Sequence, residues 1–195
     1  FHESIPFDFI DKVLAVIALC PQHTFQGLTK RAERMAEYYA RADAAGYLTE
    51  ACNYVTDKYI RPLEQALYIG EEISYPLLNL WLGVTCCNQR EADKNTAYLR
   101  DTKAAVRFLS LEPLLERIVI HNWTGIDWII IGAESGPKRR PCDLKHVYSL
   151  AGQAKSMGVP VFVKQLDIDG KLVPDIEKFP KDLRIRQMPG KEVKE

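Results

Sequence analysis

Two glutamates follow apolar runs at matching places, Glu112 after residues 106–111 and Glu134 after residues 128–131. Two carboxylates facing each other across a bound molecule can share general acid and general base work, as in glycoside hydrolysis. A carboxylate after a strand can equally hold an arginine or cap a loop. Lys164 follows a third apolar run, residues 160–163. A lysine there binds a carboxylate or phosphate, works as a buried amine of displaced pKa, or pairs with Glu112 or Glu134. Glu112, Glu134 and Lys164 are therefore the candidate catalytic residues. The candidate ligand contacts come from the same set of strand ends: Lys30, Thr85, Asn88, Ser110, Gly132, Ser135, Gly136 and Gln165. In Gly132-Ala133-Glu134-Ser135-Gly136 the two glycines either let the backbone approach a ligand closely or make a tight turn.

Other chemistries find less support. Ser135 lies in no GxSxG elbow and has no motif-placed histidine. His2, His23, His121 and His146 lack metal-ligand spacing, so no metal site is expected. Asp167-Ile168-Asp169-Gly170 begins like a calcium loop, but the remaining ligands are missing and it reads as a turn. Lys138-Arg139-Arg140 is a short basic run, either solvated or touching phosphate beside the strand ends. No GxGxxG or GxxxxGK(S/T) follows a strand. Cys20, Cys52, Cys86, Cys87 and Cys142 are irregularly spaced without a CxxC. They read as free, mostly buried thiols of a reducing, cytoplasmic protein.

The candidate residues need strands to carry them. Residues 6–20 read as a helix opened by Pro6, with Ile10, Val13, Leu14 and Ile17 as its buried stripe. A short strand over 24–29 runs into a helix from Ala32, with Ala32, Met35, Ala36 and Tyr39 inward and Gly46 as its stop. Residues 49–59 read as helical, and Pro62 opens a further helix ending near Gly70, making 47–79 longer than one crossover needs. Strand 80–85, helix 91–100, strand 106–111, a turn or short strand within 114–122, strand 128–131, helix 144–157 with Gly158 just beyond it, and strand 160–163 ending at Lys164-Gln165 complete the pattern. Near-continuous apolar strands alternating with amphipathic helices define an α/β fold with a parallel sheet. An open doubly wound sheet and part of a (β/α)8 barrel both fit, and in both the functional groups gather at the strand C-terminal ends. Residues 1–165 form this domain; 166–195, holding Gly170, Pro174, Pro180 and Pro189, form a C-terminal extension or hairpin.

Composition narrows the classes. The 195 residues are 47% hydrophobic and carry 26 basic and 26 acidic side chains, a formal net charge of zero. That apolar content does not suit a disordered chain. The charge balance does not suit a nucleic-acid binder relying on bulk charge, although the local basic run leaves nucleic acid open. No apolar stretch approaches the ~20 residues of a membrane span.

Five stretches together resemble a known family. They are His23-Thr24-Phe25-Gln26 with Leu28-Thr29-Lys30-Arg31, Trp81-Leu82-Gly83-Val84-Thr85 with Asn88-Gln89, Val106-Arg107-Phe108-Leu109-Ser110-Leu111-Glu112-Pro113-Leu114-Leu115, Trp128-Ile129-Ile130-Ile131-Gly132-Ala133-Glu134-Ser135-Gly136, and Val161-Phe162-Val163-Lys164-Gln165. In this order, over nearly the whole chain, they resemble an uncharacterised family of phage-derived proteins with a three-cysteine motif and a radical-SAM-like barrel. The resemblance implies a (β/α)8 barrel whose first strands carry a cysteine cluster similar to the iron–sulfur ligands of radical SAM enzymes. On that implication the chain, which begins Phe1-His2-Glu3, starts just after the third barrel strand and keeps the last five. None of its five cysteines matches the cluster. The later strand ends would help hold S-adenosylmethionine, with Thr85, Glu112, Glu134 and Lys164 facing it. Cys87 stands where relatives often have glutamate, and Leu166 where an aromatic often follows the Lys-Gln pair.

Three functional readings follow. The first is a radical-SAM-like lineage with an S-adenosylmethionine or nucleotide-like ligand at the strand ends. No cofactor is expected in this chain alone, whereas S-adenosylmethionine and an iron–sulfur cluster are expected of a longer full-length protein. The second is a metal-independent hydrolase or lyase using Glu112, Glu134 and Lys164. The third is a non-catalytic remnant or interaction module. The expected partners are a small molecule and a protein or second copy meeting the open sheet edges, with no membrane contact.

Overall fold

The computed structural model describes residues 1–41, 44–60 and 75–190. The chain enters through helix α1 (Phe7–Ala18), strand β1 (Phe25–Thr29), helix α2 (Ala32–Tyr39) and helix α3 (Ala44–Val55), which widens into a π-helical turn over Thr56–Ile60. Then follow β2 (Leu80–Thr85), α4 (Gln89–Asp101), β3 (Val106–Leu111), β4 (Trp128–Gly132), α5 (Leu144–Ser156), β5 (Val161–Ile168) and β6 (Lys171–Val173). The helix read from Pro62 to Gly70 lies outside the described residues.

The strands form one six-stranded mixed sheet in the order β1-β2-β3-β4-β5-β6. The first five are parallel and β6 is antiparallel to β5, so the expected set of five strands gains a sixth of opposite direction. The strand order never reverses, which excludes the doubly wound alternative. Crossovers of one hand then place their helices on one face. Register agrees. Leu82, Val84, Leu109, Leu111, Ile129, Ile131, Val161 and Val163 alternate onto one face and are all buried. The other face carries Leu28, Trp81, Phe108, Ile130 and Phe162. Leu28 there is 52% exposed, so this second face is open beside β1. Farther across it, Trp128 gathers Trp81, Phe108 and Phe162 within ring-centroid distances of 6.0, 5.6 and 6.0 Å.

Strand β5 does not stop at Lys164-Gln165. It continues to Ile168 because Leu166 is fully buried and the alternation persists. Asp169 and Gly170, at φ +52° and +73°, make the two-residue turn into β6 that the right-handed strand twist favours. Downstream, the chain returns along β5: Val163 donates to the Ile185 carbonyl at 2.8 Å and Gln187 to the Val161 carbonyl at 2.8 Å. The tail therefore covers the β5 edge, while β1 has a partner strand on one side only among the described residues.

Local signals set the helix ends. Asn88 caps α4 by accepting from the Glu91 N–H, and the Glu91 carboxylate returns to the Cys87 N–H at 2.7 Å. Asp143 caps α5, and Gly158, at φ +67°, ends it where a side chain would be strained. Two readings fail. Gly46 lies inside α3 and does not stop α2, which ends at Tyr39. On α1, Val13 faces outward at 44% exposure and Asp11 takes the buried place. No helix among the described residues is long and apolar enough to cross a membrane. All five cysteines are free thiols, four of them buried.

Candidate functional site

Parallel register brings the strand-end residues to one side of the sheet. Thr85 and Ser110 are direct neighbours across β2 and β3, and both are buried. Just beyond β3, Glu112 leans over β4. It can do so because residue 132 is glycine: a Cβ there would sit 3.1 Å from the Glu112 Cδ. The register between β4 and β5 slips at this level, pairing Ile131 with Val163 but Gly132 with Gln165. The extra residue is Lys164, and this bulge sends both its amine and the Gln165 amide to Glu112. Lys164 Nζ lies 3.0 Å from Glu112 Oε1, and Gln165 Nε2 donates to the same oxygen at 3.1 Å and to the Ala133 carbonyl at 2.7 Å. The Glu112 side chain keeps 17% exposure.

Glu134 stands on the next loop with a different partner. Arg140 grips it as a fork, Nε to Oε2 at 2.8 Å and Nη2 to Oε1 at 2.6 Å, and adds its own backbone N–H at 2.7 Å. The guanidinium, then the backbone N–H, hold the Glu134 carboxyl down to about 2. Lys30 adds its field to Glu134, and Lys30 and Arg140 both act on the Cys87 thiol, so these four groups share one corner. Burial and the Glu91 carboxylate win there and push the Cys87 thiol up. Lys30 is exposed and has no ion pair among the described residues.

Replacing Arg140 by alanine should return the Glu134 titration toward the ordinary carboxylate range. A folded-state value below the unfolded one means that the pair contributes stability above about pH 4.3 and loses it as pH falls toward 2. Carboxyl-carbon NMR titration of the native chain and the Arg140→Ala variant checks this. An unmoved Glu134 midpoint would show that the fork is not what holds it.

The remaining candidates divide. Asn88 spends its side-chain oxygen on the α4 cap. Gln165 is buried behind Glu112 and orients it. Ser135 and Gly136 lie on an exposed loop, with Gly136 at φ +103°. Arg140 was missed as a site residue, although its six-residue spacing from Glu134 is that of a short loop folding a cation back over its carboxylate. The bulge at Lys164 leaves no sequence signal.

A family model described as a protein of unknown function, DUF5131, matches residues 1–195. The chain belongs to DUF5131. No curated protein and no solved structure matches it. What DUF5131 membership adds is the uncharacterised family itself, so the chemistry rests on the geometry. That geometry comprises two carboxylates, each oriented by its own cation, one unpaired lysine and two strand-end hydroxyl residues on adjoining strands. Among the described residues, no group of three His, Cys, Asp or Glu side chains is arranged to hold a metal ion.

Proposed function

We propose that this DUF5131 chain binds a small nucleotide-like ligand, of which S-adenosylmethionine is the best-fitting example, at the C-terminal ends of β1 to β5. In this reading the sheet is a sector of a (β/α)8 barrel in the lineage of radical-SAM-like, phage-associated proteins. One observation carries it: Glu112 and Glu134 flank Gly132 on adjoining strand ends, each carboxylate held by a separate cation. Oriented carboxylates accept hydrogen bonds from an ammonium group or ribose hydroxyls, and the unpaired Lys30 suits a carboxylate or phosphate. S-adenosylmethionine offers an ammonium, a carboxylate and ribose hydroxyls together, and supplies an activated sulfonium when bound. Lys30 and Glu134 would hold its charged end, with Thr85, Ser110 and the Gly132 backbone beside it. The five cysteines do not gather into an iron–sulfur ligand set among the described residues, so no step is derived through a cluster.

The hydrolase or lyase reading ranks below this one. A Glu134 carboxyl held near 2 is no proton donor at neutral pH, so Glu112 would have to supply the acid while its carboxylate is engaged by Lys164 and Gln165.

Calorimetric titration of the purified chain with S-adenosylmethionine, and separately with AMP, tests the proposal. Saturable heat is expected from at least one of them. Lys30→Ala and Glu134→Gln should each weaken it about tenfold or more, which is about 1.4 kcal/mol. Absence of binding by both ligands, or equal affinity in both variants, would overturn the assignment.

A further inference from the structure

A cleft of about 400 Å3 opens between the N-terminal turn of α5 and the β5–β6 hairpin. Its walls include Leu115, Pro141, Cys142, Asp143, His146 and Asp167. Asp169 at the hairpin turn adds a third carboxylate, and no lysine or arginine lines it. Asp167 is 9% exposed, held in place by the pairing of its backbone with Leu172. Its carboxylate has no hydrogen bond and no ion pair among the described residues. Across the cleft, the Nδ1 of His146 is sealed from solvent and also has no hydrogen-bond partner. The body of Asp167 is buried, whereas its carboxylate oxygens are not sealed and open to the cleft, where they are free to meet a ligand.

The chemistry of the walls selects the missing partner. A cation suits the cleft, because every charged group lining it is acidic, and Arg139, which donates to the Gly170 carbonyl at its rim, makes no ion pair with these acids among the described residues. Among the described residues no three His, Cys, Asp or Glu side chains are arranged to hold a metal ion, so an organic cation suits the cleft better. Leu115 and Pro141 offer apolar surface beside the carboxylates. A charged head with a hydrocarbon stem satisfies both parts of this lining.

We propose that this cleft binds an aliphatic ammonium group, with Asp167 meeting the charge and Leu115 and Pro141 covering the methylene stem. The source is a free alkyl amine or the lysine side chain of another polypeptide, and both present the same chemistry. The lining of the cleft shares no residue with the strand-end set.

The test uses the full chain in 1H–15N NMR titrations with n-butylammonium chloride and with Nα-acetyl-lysine-N-methylamide. Sodium chloride and tetramethylammonium chloride at equal ionic strength are the controls. Saturable shifts at Asp143, His146, Asp167 and Leu172 are expected with both amines and not with the controls. Tighter binding of the lysine derivative assigns the site to a polypeptide lysine; equal binding assigns it to a free amine. Asp167→Asn should weaken binding at least tenfold while raising Tm by about 2–4 °C, because it removes one of three carboxylates crowded on one cleft. A lower Tm for Asp167→Asn would mark the carboxylate as structural and overturn the proposal. So would shifts that survive in that variant, shifts equally produced by tetramethylammonium, or displacement of butylammonium by stoichiometric calcium.

Discussion

Asp11→Ala is expected to cost about 3–5 kcal/mol, a large share of the ~5–15 kcal/mol that holds a domain of this kind together. Asp11 is an acid on the inner face of α1, 7% exposed. Its carboxylate accepts from the Tyr38 hydroxyl at 2.6 Å and from both terminal nitrogens of Arg41, one of them at 3.2 Å. Arg41 also donates Nε to the Tyr38 carbonyl, lies 4.1 Å from the Tyr38 ring centroid and is flanked by Phe7 and Tyr47. The cluster thus ties α1 to the end of α2. Alanine at 11 removes no large volume. It strands a guanidinium that is 18% exposed together with a buried phenol, and the penalty comes from those orphaned groups. Urea unfolding should show a lower midpoint with an unchanged slope. The companion variant separates this cause from simple loss of packing. Asp11→Ala combined with Arg41→Met removes both charges and should recover much of the loss. A double variant as unstable as the sum of its parts would mean that charge stranding is not the mechanism.

The same residue shows where sequence reading stops. Strands β2 and β3 were legible to the residue, because apolar side chains occupy both their faces and polar groups begin where the strands end. The α1 stripe was legible at Ile10, Leu14 and Ile17 but not at position 11. A periodicity rule ranks Val13 above Asp11 by hydrophobicity, yet the buried acid is satisfied by a partner thirty positions away. Nothing local announces that pairing. Lys164 shows a similar limit. Its pairing with a strand-end glutamate was foreseeable from residue types, but the choice of Glu112 depends on a one-residue register slip and on the absence of a side chain at Gly132. Arg140 falls between these cases: its basic run is plain in the sequence and its spacing from Glu134 holds the clue, but a solvated run and a carboxylate clamp look alike in one dimension. The length of β5 was missed because Lys164 and Gln165 interrupt its apolar pattern where the bulge turns them to the mouth.

Gly83→Ala should cost about 1–3 kcal/mol, although it adds a single carbon and alanine suits a strand better than glycine. Gly83 pairs directly with Phe108 across β2 and β3, and the Phe108 ring lies over the bare glycine backbone. A Cβ at 83 would stand 2.3 Å from the ring's Cε2 and 2.4 Å from Cζ. The ring has little freedom to yield: Phe108 is 1% exposed, and Trp128 packs against it at 5.6 Å with the Phe162 ring behind. Either the aromatic cluster repacks or β2 and β3 separate locally. The second response reaches the mouth, because Thr85 and Ser110 are the next residues of the same face on these two strands. Gly83→Ala should therefore weaken whatever the strand ends bind as well as lower stability. Phe108→Leu supplies the test, since it withdraws the ring atoms that the new methyl meets. In the double variant the alanine should be better tolerated, with a coupling of about 0.5–3 kcal/mol between the two positions in chemical denaturation. Additive losses would locate the strain in the backbone at 83 and not in the ring. They would also remove the link from this contact to the placement of Thr85 and Ser110.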